Sequence, residues 1–332
     1  MKTWRSGWVL VAAWLLVVAA LVPGVAGAGE RPLKGALVLF GKIDDASWNG
    51  SYYESARRVE SELTIKFDYT ESVPPADAER VIRDYASRGY DLVLGHAFAY
   101  SKPTQNVAKD FPKVAFAHGL DWDKIGPNIT GYRVLFHEGG YLMGLLAGGL
   151  TKSGKIGAVN TRSIPPQVIL GEAFREGVKA VNPNAQVLMS YTESFEDPVK
   201  GREAATAMVA QGADFIFAMG DGTGLGPIAV ARERKILAGG VYGDQSKLAP
   251  DVIVSSMVLK WDSLFQTLVR DLRAGSFGNK QLDLSMKDGI VDLAPYYRLA
   301  ERVPADLQKK VVDARADIIA GKLKVPIITQ KR

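Results

Sequence analysis

Along nearly the whole chain, short apolar runs of strand type alternate with segments whose apolar residues recur at helical spacing, and few architectures accommodate that alternation. The first pair is 36-ALVLF-40, a buried strand, followed by helical spacing over residues 50 to 63. A helix ended by Gly89, a strand 90-YDLVLG-95 and a strand Val114 to Ala117 continue the series. Residues 127 to 136 then run extended into a helix rich in small residues over 137–154. A second series follows, with strands at 155–160, 185–194, 213–220 and 237–243 and helices at 168–182, 199–212 and 227–235. One more strand and a long amphipathic helix occupy 252–275, and the last helix spans 304–321. The segment 282-LDLSMKDGIVDLAP-295 has the pattern of a short hairpin, with Asp288-Gly289 as its turn. Strand and helix in regular alternation across two halves predict two doubly wound, Rossmann-like α/β lobes.

In open parallel sheets ligands bind at the carboxyl ends of the strands, so the residues just beyond each strand are the candidates. After the first strand stand Asp44, Asp45, Trp48 and Asn49, a cluster too polar for a core and too aromatic for an ordinary turn. An indole can cover a flat ring while carboxylates and a carboxamide bond its edge. Alternatively, Trp48 caps the core and the aspartates start the helix as N-caps. Strand-end geometry adds His96 and Phe98, then His118, and in the second half Asp221 and Gly222.

The N-terminus carries Lys2 and Arg5, an apolar run from Trp8 to Val22 and a small-residue Ala26-Gly27-Ala28 site. This order is that of a secretory signal peptide over residues 1–28, with periplasmic export as its consequence. The sequence holds no cysteine, hence neither a disulfide nor a lipid-acceptor thiol. The formal charge of +5 comes from basic and acidic residues spread along the chain, so no basic stripe proposes nucleic acid as a partner.

Several motifs that imitate chemistry fail on context. Gly149 to Lys155 matches half of a phosphate-binding loop but follows a helix and opens a strand, the reverse of what phosphate binding needs. The run 220-GDGTGLG-226 follows a strand and precedes a helix, yet its glycines are out of dinucleotide register; a turn that offers amides to a polar ligand is favoured. His96, His118 and His137 lack the spacing and the cysteine company of a zinc site. No nucleophile elbow is present, so neither an enzyme, a metal nor a cofactor is expected.

From Gly35 to Lys287 the chain resembles the basic membrane protein (PnrA-like) family of ABC-transporter substrate-binding proteins, which includes purine nucleoside receptors. The resemblance rests on 44-DDASWN-49, which is similar to the family's Asp-x-Ser-Phe-Asn loop, and on 136-FHEGGYLMGLLAG-148. It continues in 182-NP-183, 191-YTESFEDPVKG-201, 222-GTGLG-226 and 243-GDQSKLAPDVIVSSMVLK-260. It implies a type I periplasmic binding protein, whose two lobes are joined by three crossing strands. Lobe 1 would comprise 33–132 plus 258–283, and lobe 2 would comprise 133–257 plus 284–332. It also implies that Trp48 stacks on a purine, that Asp45 and Asn49 flank it, that Asp244 caps the second-lobe site and that Lys260 reaches in from the crossing. The chain departs from the nucleoside-binding pattern where an acid directly after the first strand is replaced by Leu39 or Phe40, and where another is replaced by Tyr242. Trp in place of Phe at position 48 is closer to a branch suited to a free base such as adenine.

The expectation is therefore a monomeric periplasmic receptor that captures a purine nucleoside or nucleobase and presents it to an ABC permease of the inner membrane. The rivals are a sugar receptor of the same fold, a ligand sensor without transport and, from another class, a nucleoside hydrolase.

Overall fold

The structure, a computed structural model, describes residues 31–119 and 126–331. The expected signal peptide lies outside these residues. No helix among the described residues is long and apolar enough to cross a membrane.

From Pro32 onward the chain forms one compact unit containing two six-stranded sheets. The first sheet has the order β2-β1-β3-β4-β5-β11, from β1 (Leu33–Leu39), β2 (Ile65–Thr70), β3 (Leu92–His96), β4 (Ala115–Gly119), β5 (Ile129–Val134) and β11 (Lys280–Leu284). The second repeats that order as β7-β6-β8-β9-β10-β12, from β6 (Lys155–Asn160), β7 (Gln186–Tyr191), β8 (Phe215–Met219), β9 (Leu237–Tyr242), β10 (Ile253–Leu259) and β12 (Val291–Leu293). Every pairing is parallel except that of β12 with β10. The two halves thus share one topology although no internal repeat is visible in the sequence. The chain passes between the sheets at Leu135, at Lys260–Trp261 and over 285–290.

Two expectations need correction. The segment 282–295 is not a hairpin: β11 pairs with β5 in the first sheet and β12 with β10 in the second. The turn at Asp288-Gly289 is real, with Gly289 at φ +74, but it carries the chain from one sheet to the other. The edge strand β2 was not anticipated, because its alternating Ile65-Lys66-Phe67-Asp68 pattern covers only a few residues.

The helices α1 (Trp48–Val59), α2 (Ala78–Ser87), α3 (Ser101–Asp110) and α8 (Asp262–Arg273) serve the first sheet. There α8 docks on α1 through an Arg58–Asp262 bidentate pair and a Trp261 Nε1 to Ser51 Oγ bond of 3.1 Å. The second sheet is served by α4 (Phe136–Leu150), α5 (Pro165–Val181), α6 (Pro198–Ala210), α7 (Leu225–Arg234) and α9 (Ala305–Ile319). Helices α4 and α5 run side by side with small residues between them. A Cβ on Gly144 would stand 2.2 Å from the Phe174 carbonyl oxygen, and one on Gly177 2.1 Å from that of Tyr141. Glycine at these positions lets the two backbones touch, which no larger residue permits. Local rules place the helix starts: Asp197 accepts from Val199 N and Lys200 N to cap α6, and prolines occupy the first turns of α5 and α6.

Candidate functional site

The carboxyl ends of the two sheets face one another, and a cavity of about 330 Å³ lies between them. From the first lobe it is lined by Phe40, Trp48, Pro75 and 97-AFA-99; the second contributes Phe136, Arg162, Ile164, Pro166, Gln167, Phe195, Asp221 and Tyr242. Most of this wall is aromatic or aliphatic, as small-molecule sites usually are.

Trp48 is only 7% exposed, yet it forms part of the cavity wall. One face of its indole is covered by the His96 imidazole, with centroids 4.2 Å apart and planes 9° from parallel. His96 stacks in turn on Tyr52 at 3.6 Å. Trp48 Nε1 donates to the His96 carbonyl at 3.2 Å, and the His96 ring nitrogens meet Tyr132 Oη at 3.0 Å and the Trp48 carbonyl at 3.3 Å. Full burial holds the imidazole well below its ordinary pKa, so it is neutral. His96 thus supports Trp48 from behind.

The Asp45 carboxylate organises its own loop. Oδ1 accepts from Ser47 N and Gly50 N at 2.7 and 2.9 Å, and Oδ2 from Asn49 N and Nδ2 at 2.9 and 2.8 Å. Asn49 Oδ1 accepts from Gly41 N at 3.1 Å. The two side chains fix the entrance to α1 rather than the cavity surface, and Asn49 is fully buried. Asp44, Asp45 and Gly222 line an open groove of about 730 Å³ that shares Phe40 and Pro75 with the cavity.

Of the twelve residues expected from sequence, the structure therefore brings Trp48, Phe98, Asp221 and Tyr242 to the cavity itself. His118 is fully buried within β4, opposite Gly95 and Gly131. Asp244 and Lys260 lie on another groove, of about 250 Å³, reached from the far side of Tyr242. There Asp244 Oδ2 accepts from Tyr297 Oη at 2.6 Å, and Lys260 pairs with Asp292 at 3.7 Å. Sequence reasoning missed Phe40, Phe136, Arg162, Gln167 and Phe195. Arg162 and Gln167 follow β6 just as Trp48 follows β1, so the strand-end rule already contained them. A further hollow of about 590 Å³, at the outer edge strand among Glu172, Arg175, Met208 and Lys331, lacks such aromatic enclosure.

The lobes are closed on each other. Ser47 Oγ donates to the Val241 carbonyl at 3.1 Å, Phe40 meets Phe195 edge to face at 5.7 Å, and Trp48 meets Tyr242 at 5.4 Å. Gly243 approaches Ala46 so closely that a Cβ there would lie 2.4 Å from the Ala46 carbonyl oxygen. Tyr242 holds a positive φ of 68°, a backbone cost that sites for ligands commonly carry. Polar groups in the wall are few. Asp221 Oδ1 and Gln167 Oε1 are buried without a hydrogen-bond partner among the described residues, although the Gln167 amide donates to Tyr242 Oη at 2.9 Å. The Arg162 guanidinium lies 5.6 Å over the Phe195 ring. Among the described residues no cluster of three or more His, Cys, Asp or Glu residues could hold a metal ion.

The family described as "ABC transporter substrate-binding protein PnrA-like" matches residues 33–329 of this sequence. The chain belongs to that family. A purine-binding protein of Brucella abortus is 32% identical over 93% of this chain and 87% of its own length. A Haloferax volcanii protein, named as a candidate ABC transporter glucose-binding protein, is 26% identical over 86% of this chain and 74% of its own. Among solved structures, an ABC transporter solute-binding protein from Conexibacter woesei superposes with a TM-score of 0.75 at 29% identity, covering 90% of this chain and 100% of that one. The fold is that of the type I periplasmic binding proteins, as expected from the resemblance. Members of the PnrA-like family are substrate-binding components of transporters rather than enzymes. They bind a small ligand, deliver it to a membrane permease and typically act in the periplasm or outside the cell.

Proposed function

We propose that this PnrA-like protein is a periplasmic receptor that captures a purine base or nucleoside between its lobes for uptake by an ABC permease. The observation that carries the reading is the backed indole: Trp48 braced by His96 and Tyr52 on one side and forming cavity wall besides. A planar aromatic guest gains stacking and apolar contact in such a box. A sugar ring, with hydroxyls around its whole rim, needs many polar partners, whereas Asp221, Gln167 and Arg162 supply nearly all that this wall offers. The volume suits a base or a compact nucleoside. Closure follows the usual logic, in which the ligand favours the closed state by its extra contacts there.

Two measurements test this. Mass spectrometry of material released from the denatured protein should find a purine. Calorimetric titration should give binding of adenine or adenosine and none of glucose or ribose. Sugar binding without purine binding would refute the reading. Loss of purine uptake on deletion of the receptor would establish transport; unchanged uptake would favour a sensor.

A further inference from the structure

Asp221 lines the cavity, while Asp45 and Glu196 line the groove that adjoins it. Asp221 stands at the end of β8, 7% exposed, with its Oδ1 buried and unpartnered among the described residues. Glu196 follows β7, and its carboxylate is wedged between the lobes: a Cβ on Gly41 would stand 2.9 Å from its Oε1, and one on Gly222 2.7 Å from its Oε2. Asp45 lies across the interface in the first lobe, its oxygens engaged by four N–H donors. Resting on the purine reading, we propose that Asp221 reads the ligand as a neutral carboxylic acid, its O–H and C=O pairing with the adjacent acceptor and donor of a planar amidine or lactam edge.

An unpartnered carboxyl oxygen in an aromatic wall costs free energy unless the guest bonds to it, so such an atom marks where the guest's polar edge belongs. The edge of a nucleobase offers a ring nitrogen beside an amino or oxo group, and a protonated carboxyl is the complementary two-point partner. The charged and titratable neighbours favour that state. Burial, then Asp45, then Glu196 push Asp221 well above the ordinary carboxyl pKa, and the Ser47 hydroxyl opposes them. Glu196 is itself raised by burial and by Asp45, with Lys42 pulling the other way. Tyr242, packed from β9, is raised by burial and by Asp221 and stays neutral. Arg162, from the loop after β6, lies over Phe195 and is not among the groups that move Asp221. A ligand that needs the neutral acid binds with constant affinity below the pKa of Asp221 and about tenfold more weakly for each pH unit above it.

The test is calorimetry with adenine as the probe from about pH 6 to about pH 9, on the wild type, Asp221→Asn, Asp221→Ala and Glu196→Gln, each checked for native melting. The amide of Asp221→Asn offers the same donor and acceptor in the same shape. It should bind adenine within about threefold of the wild type at low pH and lose the decline at high pH. Asp221→Ala should bind about tenfold or more weakly throughout. Glu196→Gln, with one anion fewer, should move the decline to lower pH without abolishing it. An Asp221→Asn loss as large as that of Asp221→Ala, a wild-type affinity that rises with pH, or a decline that Asp221→Asn keeps and Glu196→Gln abolishes overturns the assignment while leaving the purine reading in place. If no purine binds the wild type under any condition, both fall.

Discussion

Replacing Trp48 by alanine separates the two roles that the structure gives this residue. As a core side chain it is buried on His96 and holds the His96 carbonyl through Nε1. Truncating a buried tryptophan costs about 3–5 kcal/mol, and the carbonyl left without its donor adds to the loss. At about 2 °C per kcal/mol for a chain of this size, the melting temperature should fall by roughly 8 °C. As a platform for the ligand, the same ring should contribute about 1–3 kcal/mol, which corresponds to roughly 10- to 100-fold in affinity. Urea titration reads the first effect, and calorimetry at about 10 °C, far from the transition, reads the second. Trp48→Phe keeps a ring against His96 but removes the indole N–H, so about 1 kcal/mol of stability should go while affinity changes by less than about threefold. A destabilised Trp48→Ala protein that binds its ligand as tightly as the wild type would make Trp48 a core residue alone and refute the stacking argument. Native stability together with native affinity would refute both arguments.

Other perturbations address closure and pH. Gly243→Ala places a methyl group against the Ala46 carbonyl; it should keep ligand-bound protein open by small-angle scattering and weaken binding about tenfold or more, since the closed state is lost. Phe195→Ala removes one side of the edge-to-face contact across the cleft and should weaken binding about tenfold. His137, buried and near the Arg133 guanidinium, is lowered to about 4, so the unfolded chain takes up its proton first. Stability is then complete above about pH 6.5 and falls towards pH 4 by about 3 kcal/mol from this group. Urea unfolding at stepped pH should show a slope that His137→Gln reduces, and an equal slope in the variant would exclude His137 as its source.

The sequence revealed the strand and helix order because buried parallel strands are short apolar runs with punctuated ends. It misled at 282–295, where the turn chemistry of Asp288-Gly289 is that of a hairpin while the pairing partners, Ile129–Val134 and Met257–Leu259, lie far away in the chain. Local sequence reports a turn and is silent on which sheet each flank joins. At the site, strand-end reasoning reached Trp48, Phe98 and Asp221 because each follows a strand, whereas Tyr242 entered only through the family resemblance. It placed Asn49 and His96 in the same class although they serve as struts, since a buried polar side chain and a ligand contact share residue types and position. Phe136 was missed for another reason: it starts a helix after a crossing, and only the closed arrangement of the lobes turns it towards the cavity.

The contact between α4 and α5 has a reach beyond its own length. Both helices begin at the cavity, α4 with Phe136 and α5 with Pro165, and from there they run in the same direction with their spines in touch at Gly144 and Gly177. Along the helices that seam lies about 12 Å from Phe136 in α4 and about 18 Å from Pro165 in α5, yet it sets the angle at which the two helix tips diverge. A single added methyl in it would splay the tips and reshape the wall without touching a lining residue, so selectivity in this receptor can drift through positions that never meet the cargo.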